Sequence, residues 1–377
     1  MKNVKVFLLT TILFAFGQQM LAQDIMDAVD QGDIEKVKVL LADHPDCIEQ
    51  RDEEFGYTPL HKAAVNGHTN ICKLLIEQGA DIHAVDNSQG TPLHLASYHG
   101  HIETARLLID QGADIHKQER QGGNSLHMAA WSGHSEMIRF LIEKGVDANS
   151  QDSRGDTPII WAVFGGSANA METLVQLGAD LNPPMRIGRN ILHLAAANGN
   201  KEVIEYLLSK GIDVDVKSDY DNTPLFWTVF VRNCDNAKIL INNGADPNIR
   251  NHVGHTPLSL AISNNDTSMV DFLLDYEMKI NKQSSSGDTY LHAVAYNGFK
   301  EMADLLLRKG INPNIANNQK LTALDMAISR HNLETEQLLR SKGGIQGEEQ
   351  TKKHGSTYSN RNAWFGFGEF GKSHHYL

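Results

Sequence analysis

Near its carboxyl end the chain reads GFGEFGKS, Gly366 to Ser373, a letter-for-letter match to the G-x-x-x-x-G-K-[ST] loop whose backbone N–H groups cradle phosphates. That chemistry needs a strand to aim the loop and a helix whose first N–H groups face the anion. The residues before Gly366, GIQGEEQTKKHGSTYSNRNAW, contain no apolar strand run, and only HHYL follows Ser373, too little for a helix. The match is read as fortuitous on that context. Eighteen histidines raise a second possibility, a metal centre, most directly around His99 and His101 or at His374-His375. Three cysteines, Cys47, Cys72 and Cys234, raise a third, a thiol nucleophile. No H-E-x-x-H, G-x-S-x-G, paired C-x-x-C or dinucleotide fingerprint accompanies them.

What could position such groups follows from the chain as a whole. It has 377 residues, 41% of them hydrophobic, with a formal charge of −12, enough to fold and too acidic for a broad nucleic-acid surface. The first residues, MKNVKVFLLTTILFAFGQQMLAQ, have Lys2 and Lys5 ahead of an apolar run from Val6 to Phe16 and a polar stretch ending Met20-Leu21-Ala22. This is the pattern of a secretory signal peptide over residues 1–22, with cleavage expected after Ala22. The run is short of the roughly 20 apolar residues that span a bilayer, so an uncleaved anchor is the weaker reading. Removing the leader leaves 32 basic side chains against 46 acidic, a balance of −14. The mature protein is expected to be exported, periplasmic or secreted, without a membrane span. Three cysteines make no disulfide framework in a chain of this size, although one bridged pair with one thiol left over stays open.

The organisation is periodic. TPLH at Thr58 recurs as TPLH at Thr91, NSLH at Asn124, TPII at Thr157, NILH at Asn190, TPLF at Thr223, TPLS at Thr256, TYLH at Thr289 and TALD at Thr322, each step being 33 residues. A leucine follows 17 positions after every start, from Leu75 to Leu339. Thr58 and its equivalents suit an N-cap, and Pro59 suits a first helical position because it has no donor to lose. Leu60 with Ala63-Ala64 makes one close-packing face. Gly67 and its column end this first helix; Ile71, Leu74 and Leu75 give a second, ended by Gly79 and its column.

This pattern resembles the ankyrin repeat family, most fully in TPLHKAAVNGHTNICKLLIEQGADI from Thr58 to Ile82, and the resemblance covers about residues 24 to 343. The fold class expected is all-α, an ankyrin-type helix-turn-helix solenoid of about ten stacked units. Residues 24–51 form the amino-terminal cap when offset by 35, residues 52–343 carry nine repeats, and 344–377 form a Gly/aromatic tail expected to be flexible. Arg232, Asn265 and His331 replace the first glycine and Glu277 the second, so distortion and looser stacking are expected between repeats five and eight. The histidine columns His61, His94, His127, His193, His292 and His68, His101, His134 are, by the resemblance, structural hydrogen-bonding positions. Catalytic residues, metal ligands and cofactors are all expected to be absent.

The strongest functional pattern lies seven residues after each repeat start: Val65, Tyr98, Trp131, Phe164, Ala197, Phe230, Ser263, Tyr296, Ser329. Five of nine are aromatic in a chain that is 7% aromatic. By the resemblance this position faces the concave groove where protein partners bind, and rigid aromatic side chains are favoured interface anchors. Tyr57, Asp156, Arg189, Asn222 and His255, each just before a repeat start, are expected to set specificity at the turn tips. The function expected is a non-catalytic, monomeric protein-interaction scaffold or modulator. The alternatives are a small-ligand binder or enzyme using the groove, or an envelope protein self-associating through the tail aromatics Trp364, Phe365, Phe367, Phe370 and Tyr376.

Overall fold

A computed structural model of the chain describes residues 24–198, 200–276 and 280–347. The signal-peptide reading, Glu277 and residues 348–377 lie outside the described residues. The described residues are all-helical, without a strand, and fall into two units, Met1–Met185 and Arg186–Leu377.

The first unit begins with α1 (24–30) and α2 (Ile34–Asp43). Four pairs of a short inner and a longer outer helix follow: α3 (Pro59–Val65) with α4 (Thr69–Glu77), α5 (Pro92–Tyr98) with α6 (Ile102–Asp110), α7 (Ser125–Trp131) with α8 (Ser135–Glu143), and α9 (Pro158–Gly165) with α10 (Ala168–Gln176). Inner helices pack on inner helices and outer on outer, which gives two layers. The second unit repeats the scheme with α11 (Ile191–Asn198) and α12 (Lys201–Ser209), α13 (Pro224–Phe230) and α14 (Cys234–Asn242), α15 (Pro257–Ser263) and α16 (Thr267–Leu274), α17 (Tyr290–Asn297) and α18 (Lys300–Arg308), and α19 (Ala323–Ser329) and α20 (Leu333–Ser341).

Each pair forms because its sequence dictates both ends. Thr58 caps α3, its Oγ1 accepting from the His61 N–H, and Pro59 supplies the first turn. The imidazole of His61 completes the cap: Nδ1 accepts the Thr58 N–H at 3.2 Å and Nε2 donates to the Gly90 carbonyl of the next loop at 3.2 Å. His127, His193 and His292 make the same reach, to the carbonyls of Asp156, Asn222 and Leu321 at 3.2, 2.9 and 2.9 Å. One side chain therefore closes its own helix and fastens the following repeat. Behind it, Leu60, Ala63, Ala64, Ile71, Cys72 and Leu75 are buried, and the pattern recurs along each unit. Full burial of a Leu or Ile contributes about 1.5–3 kcal/mol, but only when a neighbouring repeat covers it.

Arg232, Asn265 and His331 do not distort the chain. They keep the left-handed turn of the glycines they replace, with φ of 61°, 51° and 56°. The stacking on either side over-determines the turn, and a non-glycine there stores strain, on the order of 1 kcal/mol, in place of changing the path. The expected loosening does occur at one joint: α15 touches α17 less than any other neighbouring inner helices in this unit touch. Residues 344–347 are bound to repeat nine. Ile345 N–H donates to Asn314 Oδ1 at 2.8 Å, Thr322 Oγ1 donates to the Ile345 carbonyl at 2.7 Å, and Gly347 N–H donates to Asp325 Oδ2 at 2.8 Å.

Burial holds the cap histidines neutral and lowers their pKa values, those of His94 and His127 to about 4. A folded-state pKa below the unfolded value of about 6.5 means stability is complete above pH 6.5 and falls as pH drops toward 4, by roughly 3 kcal/mol for each of these two groups once both states are protonated. The melting temperature is therefore expected to fall steadily from pH 7 to pH 4 in circular-dichroism melts; a flat profile would contradict the neutral, buried assignment. His331→Gly is expected to raise stability by about 1 kcal/mol in urea denaturation, because it relieves a positive φ.

Candidate functional site

The inner-helix aromatic row lies at or next to the last residue of its helix, two residues before the left-handed turn. In the first unit it places Tyr98 and Trp131 at the surface, each 40% exposed, with Phe164 half-buried. Trp131 stacks on Phe164, centroids 6.1 Å apart at 25°, and meets Trp161 edge-on at 5.8 Å. Trp161 is buried, its Nε1 donates to Asp152 Oδ2 at 3.1 Å, and the His127 ring packs against it at 5.3 Å. The structure thus brings Trp131, Phe164 and Trp161 into one cluster with an exposed outer ring and a hydrogen-bonded inner one. Tyr98 stands apart on α5, its ring edge-on to His99 at 5.1 Å.

The close approach behind this cluster has one steric requirement. Gly165, the last residue of α9, lies so near the backbone of Trp131 that a Cβ there would collide with the Trp131 carbonyl oxygen. No side chain can be accommodated without moving α9 from α7, and with it Phe164 from Trp131.

In the second unit Phe230 is 50% exposed and packs at 6.0 Å on Trp227, over which the Arg189 guanidinium lies at 5.3 Å. Tyr296 is half-buried beneath the Arg330 guanidinium at 4.6 Å. These cation–π pairs cover part of each ring and leave positive charge beside it.

The five residues expected at turn tips sit further in. All are half-buried and tied to neighbours. Tyr57 lies parallel to the His61 ring at 5.8 Å, and burial together with Asp86, Asp52 and Glu54 raises its pKa. Asp156 pairs with Arg154 at 3.3 Å, Arg189 covers Trp227, and Asn222 Oδ1 accepts from Asn251 at 3.1 Å. His255 contacts Ser259 Oγ at 3.3 Å, and burial with Arg250 nearby lowers its pKa. The outermost positions are two residues earlier in the repeat, where Phe55, Ile187, Tyr220 and Val253 are exposed. Their signal in the sequence is an apolar letter in a polar loop at a constant phase, three residues before the repeat start.

The titratable groups are committed to the scaffold. Asp81, Asp114, Asp147, Asp180, Asp213 and Asp246 each accept the N–H two residues on, at 2.8–3.0 Å. Asp86, Glu119 and Asp152 are buried and accept loop N–H groups that would otherwise go unmet. Burial pushes the Cys47 thiol up to about 11 and Cys72 to about 12, far from thiolate reactivity. Among the described residues no cysteine is bridged, and no three His, Cys, Asp or Glu side chains are placed to hold a metal. A depression of about 260 Å³ lined by Ile82, His83, Thr91, Ala113, Asp114 and Lys117 has no convergent acid–base pair.

The family model for ankyrin repeats matches residues 25–119, 114–185, 182–251, 225–317 and 258–351, and the chain belongs to the ankyrin repeat family. Individual similarities are local. Ankyrin repeat domain-containing protein 49 of Homo sapiens is 45% identical over 58 residues, and its Bos taurus counterpart 43% over 58 residues; each match covers 15% of this chain and 24% of the relative. A palmitoyltransferase akr1 of Aspergillus oryzae is 37% identical over 70 residues, 19% of this chain and 9% of that protein. The chain thus spans about a quarter or less of the curated relatives it matches.

Gly165→Ala is expected to destabilise the first unit by about 2–3 kcal/mol, an overpacking cost, and to raise acrylamide quenching of tryptophan fluorescence as the Trp131 stack opens. An unchanged urea midpoint would mean that α9 and α7 are not so closely joined.

Proposed function

We propose that the protein is a non-catalytic scaffold or modulator that binds an exported protein partner through its inner-helix face. One observation carries this reading: the exposed Trp131, backed by Phe164 and Trp161, makes a rigid aromatic surface in the first unit, with Tyr98 a second exposed ring one repeat earlier. Aromatic anchors held by their own packing lose little side-chain entropy on binding, which favours a protein interface. The turn tips extend the surface. Phe230 with Trp227, and Tyr296 with Arg330, provide comparable contacts in the second unit. Membership of the ankyrin repeat family supports protein binding, and no described helix is long and apolar enough to cross a membrane.

The signal-peptide pattern of residues 1–22 supports export to the periplasm or outside the cell, and the protein is read as acting as a monomer. The family's non-catalytic character and the commitment of carboxylates and histidines to turns and caps weigh against an enzyme. The acidic balance of the chain favours partners with basic surfaces and accelerates their encounter.

The test is capture from an envelope and secreted extract with the mature chain, set beside Tyr98→Ala/Trp131→Ala. A protein retained by the first and lost with the second, when circular dichroism shows the variant still folded, is the expected result. Equal capture by both would remove the inner-helix row from the proposal. For the captured partner, the association rate is expected to fall roughly tenfold or more between low and physiological salt, measured by stopped flow.

A further inference from the structure

Three consecutive repeats of the second unit carry an apolar residue at the outermost position of the loop. Ile187, Tyr220 and Val253 are 43%, 39% and 57% exposed and are spaced 33 residues apart. The loops bearing them are tied edge to edge, Asp219 N–H donating to the Ile187 carbonyl at 3.2 Å and His252 N–H to the Tyr220 carbonyl at 3.1 Å. Ile187 adopts φ of 55°, a left-handed backbone that a β-branched residue enters only at a cost. The same position in the next two repeats is polar, Ser286 and Gln319. The unit therefore has a tip row whose first half is apolar and whose second half is not.

The chain leaves the described structure beside this row. Gly347 N–H is held by Asp325, and a Cβ at Gly347 would run into the carbonyl of Lys320, in the loop of repeat nine. The sequence that follows has matching order: residues 348–362, EEQTKKHGSTYSNRN, are polar apart from Tyr358, and Trp364, Phe365, Phe367 and Phe370 put four aromatics into seven residues. Adjacent repeats are about 10 Å apart, which puts Val253 about 20 Å, and Tyr220 about 30 Å, from the repeat-nine tip. For seventeen residues, the number from Gly347 to Trp364, a random coil would have a root-mean-square span of roughly 23 Å and a fully extended chain a reach of roughly 56 Å. That length is enough for the aromatic part to reach the point at which the row turns apolar.

We propose that the tip row Ile187–Tyr220–Val253 is a docking surface whose occupant is the aromatic segment Trp364–Phe370 of the same chain. Tethering supplies the segment at an effective concentration in the millimolar range, so weak individual ring contacts suffice. An outside ligand for the row must compete with it. This row belongs to loop tips of the second unit, whereas the capture test reads Tyr98 and Trp131 of the first, so either result can fail without the other.

Hydrogen exchange by mass spectrometry on the full chain tests this directly. Backbone amides of residues 363–371 are expected to exchange roughly tenfold slower in the wild-type chain than in Tyr220→Ser/Val253→Ser, whose exposed positions leave the repeats intact by circular dichroism. A photo-crosslinking residue at position 220 is expected to join peptides containing Trp364–Phe370 at the mass of a single chain, and Trp364→Ser/Phe367→Ser/Phe370→Ser is expected to abolish that product. Random-coil exchange of the segment in the wild type would overturn the proposal. So would protection indifferent to both sets of substitutions, or crosslinks found only at the mass of two chains.

Discussion

The interaction on which everything else depends is the histidine that caps its own repeat and holds the next. A helix pair of seven and nine residues has too little apolar surface to fold alone, so each must be completed by a neighbour. His61, His127, His193 and His292 make that completion directional: Nδ1 fixes the cap Thr or Asn and Nε2 takes a carbonyl 29 residues on. An unmet carbonyl at that depth would cost about 1–3 kcal/mol, which is why the contact orders the loop as well as the helix. Where the column departs from histidine the outcome varies: Ser259 makes the cap of α15, and Asp325 both makes that of α19 and takes the Gly347 N–H, whereas Ile160 and Phe226 leave α9 and α13 without a side-chain cap.

That arrangement determines which residues are left for function. Leu, Ala and Ile positions are consumed by stacking, and the carboxylates before and within the loops are consumed by backbone N–H groups. A chain with formal charge −12 thus uses many of its acids as turn geometry, and the remainder contribute a diffuse field with no acidic site behind it. What escapes is one position at the end of each inner helix and one at each loop tip. Variation at those two phases changes the surface without disturbing the stack.

The fold was legible because each of its constraints writes a letter at a fixed spacing: Thr-Pro for the cap, His for the bridge, Gly for the turn, Leu for the core. The site was legible only in part. The 33-residue phase puts Trp131 and Phe164 in one row, but nothing in the sequence indicates that Trp161 lies under Trp131 with its Nε1 on Asp152, since that depends on α9 pressing against α7 at Gly165. Arg232, Asn265 and His331 were misread as disruption. Loss of glycine signals a cost; whether the cost bends the backbone depends on the packing on either side, and here the packing prevails. Tyr57, Asp156, Arg189, Asn222 and His255 lie further in than turn tips, Asp156 and Asn222 because the histidine bridge takes their carbonyls, Tyr57 and Arg189 because they pack on the His61 and Trp227 rings, and His255 against Ser259.

The two variable rows are not equivalent in kind. The inner-helix aromatics are backed by other rings, so they are rigid and partly desolvated before any partner arrives. The tip residues Ile187, Tyr220 and Val253 sit on loop backbone held edge to edge, with Ile187 in a costly conformation and Tyr220 beside the His252 ring at 5.1 Å, so they present a narrow apolar edge in place of a stacked cluster. Rigid aromatic surface favours a preformed partner with its own relief, whereas a narrow apolar edge favours an extended, tethered segment that pays little to align with it. A repeat protein can host both because stacking fixes only the interior phases, and each exposed phase is then available for a separate recognition problem.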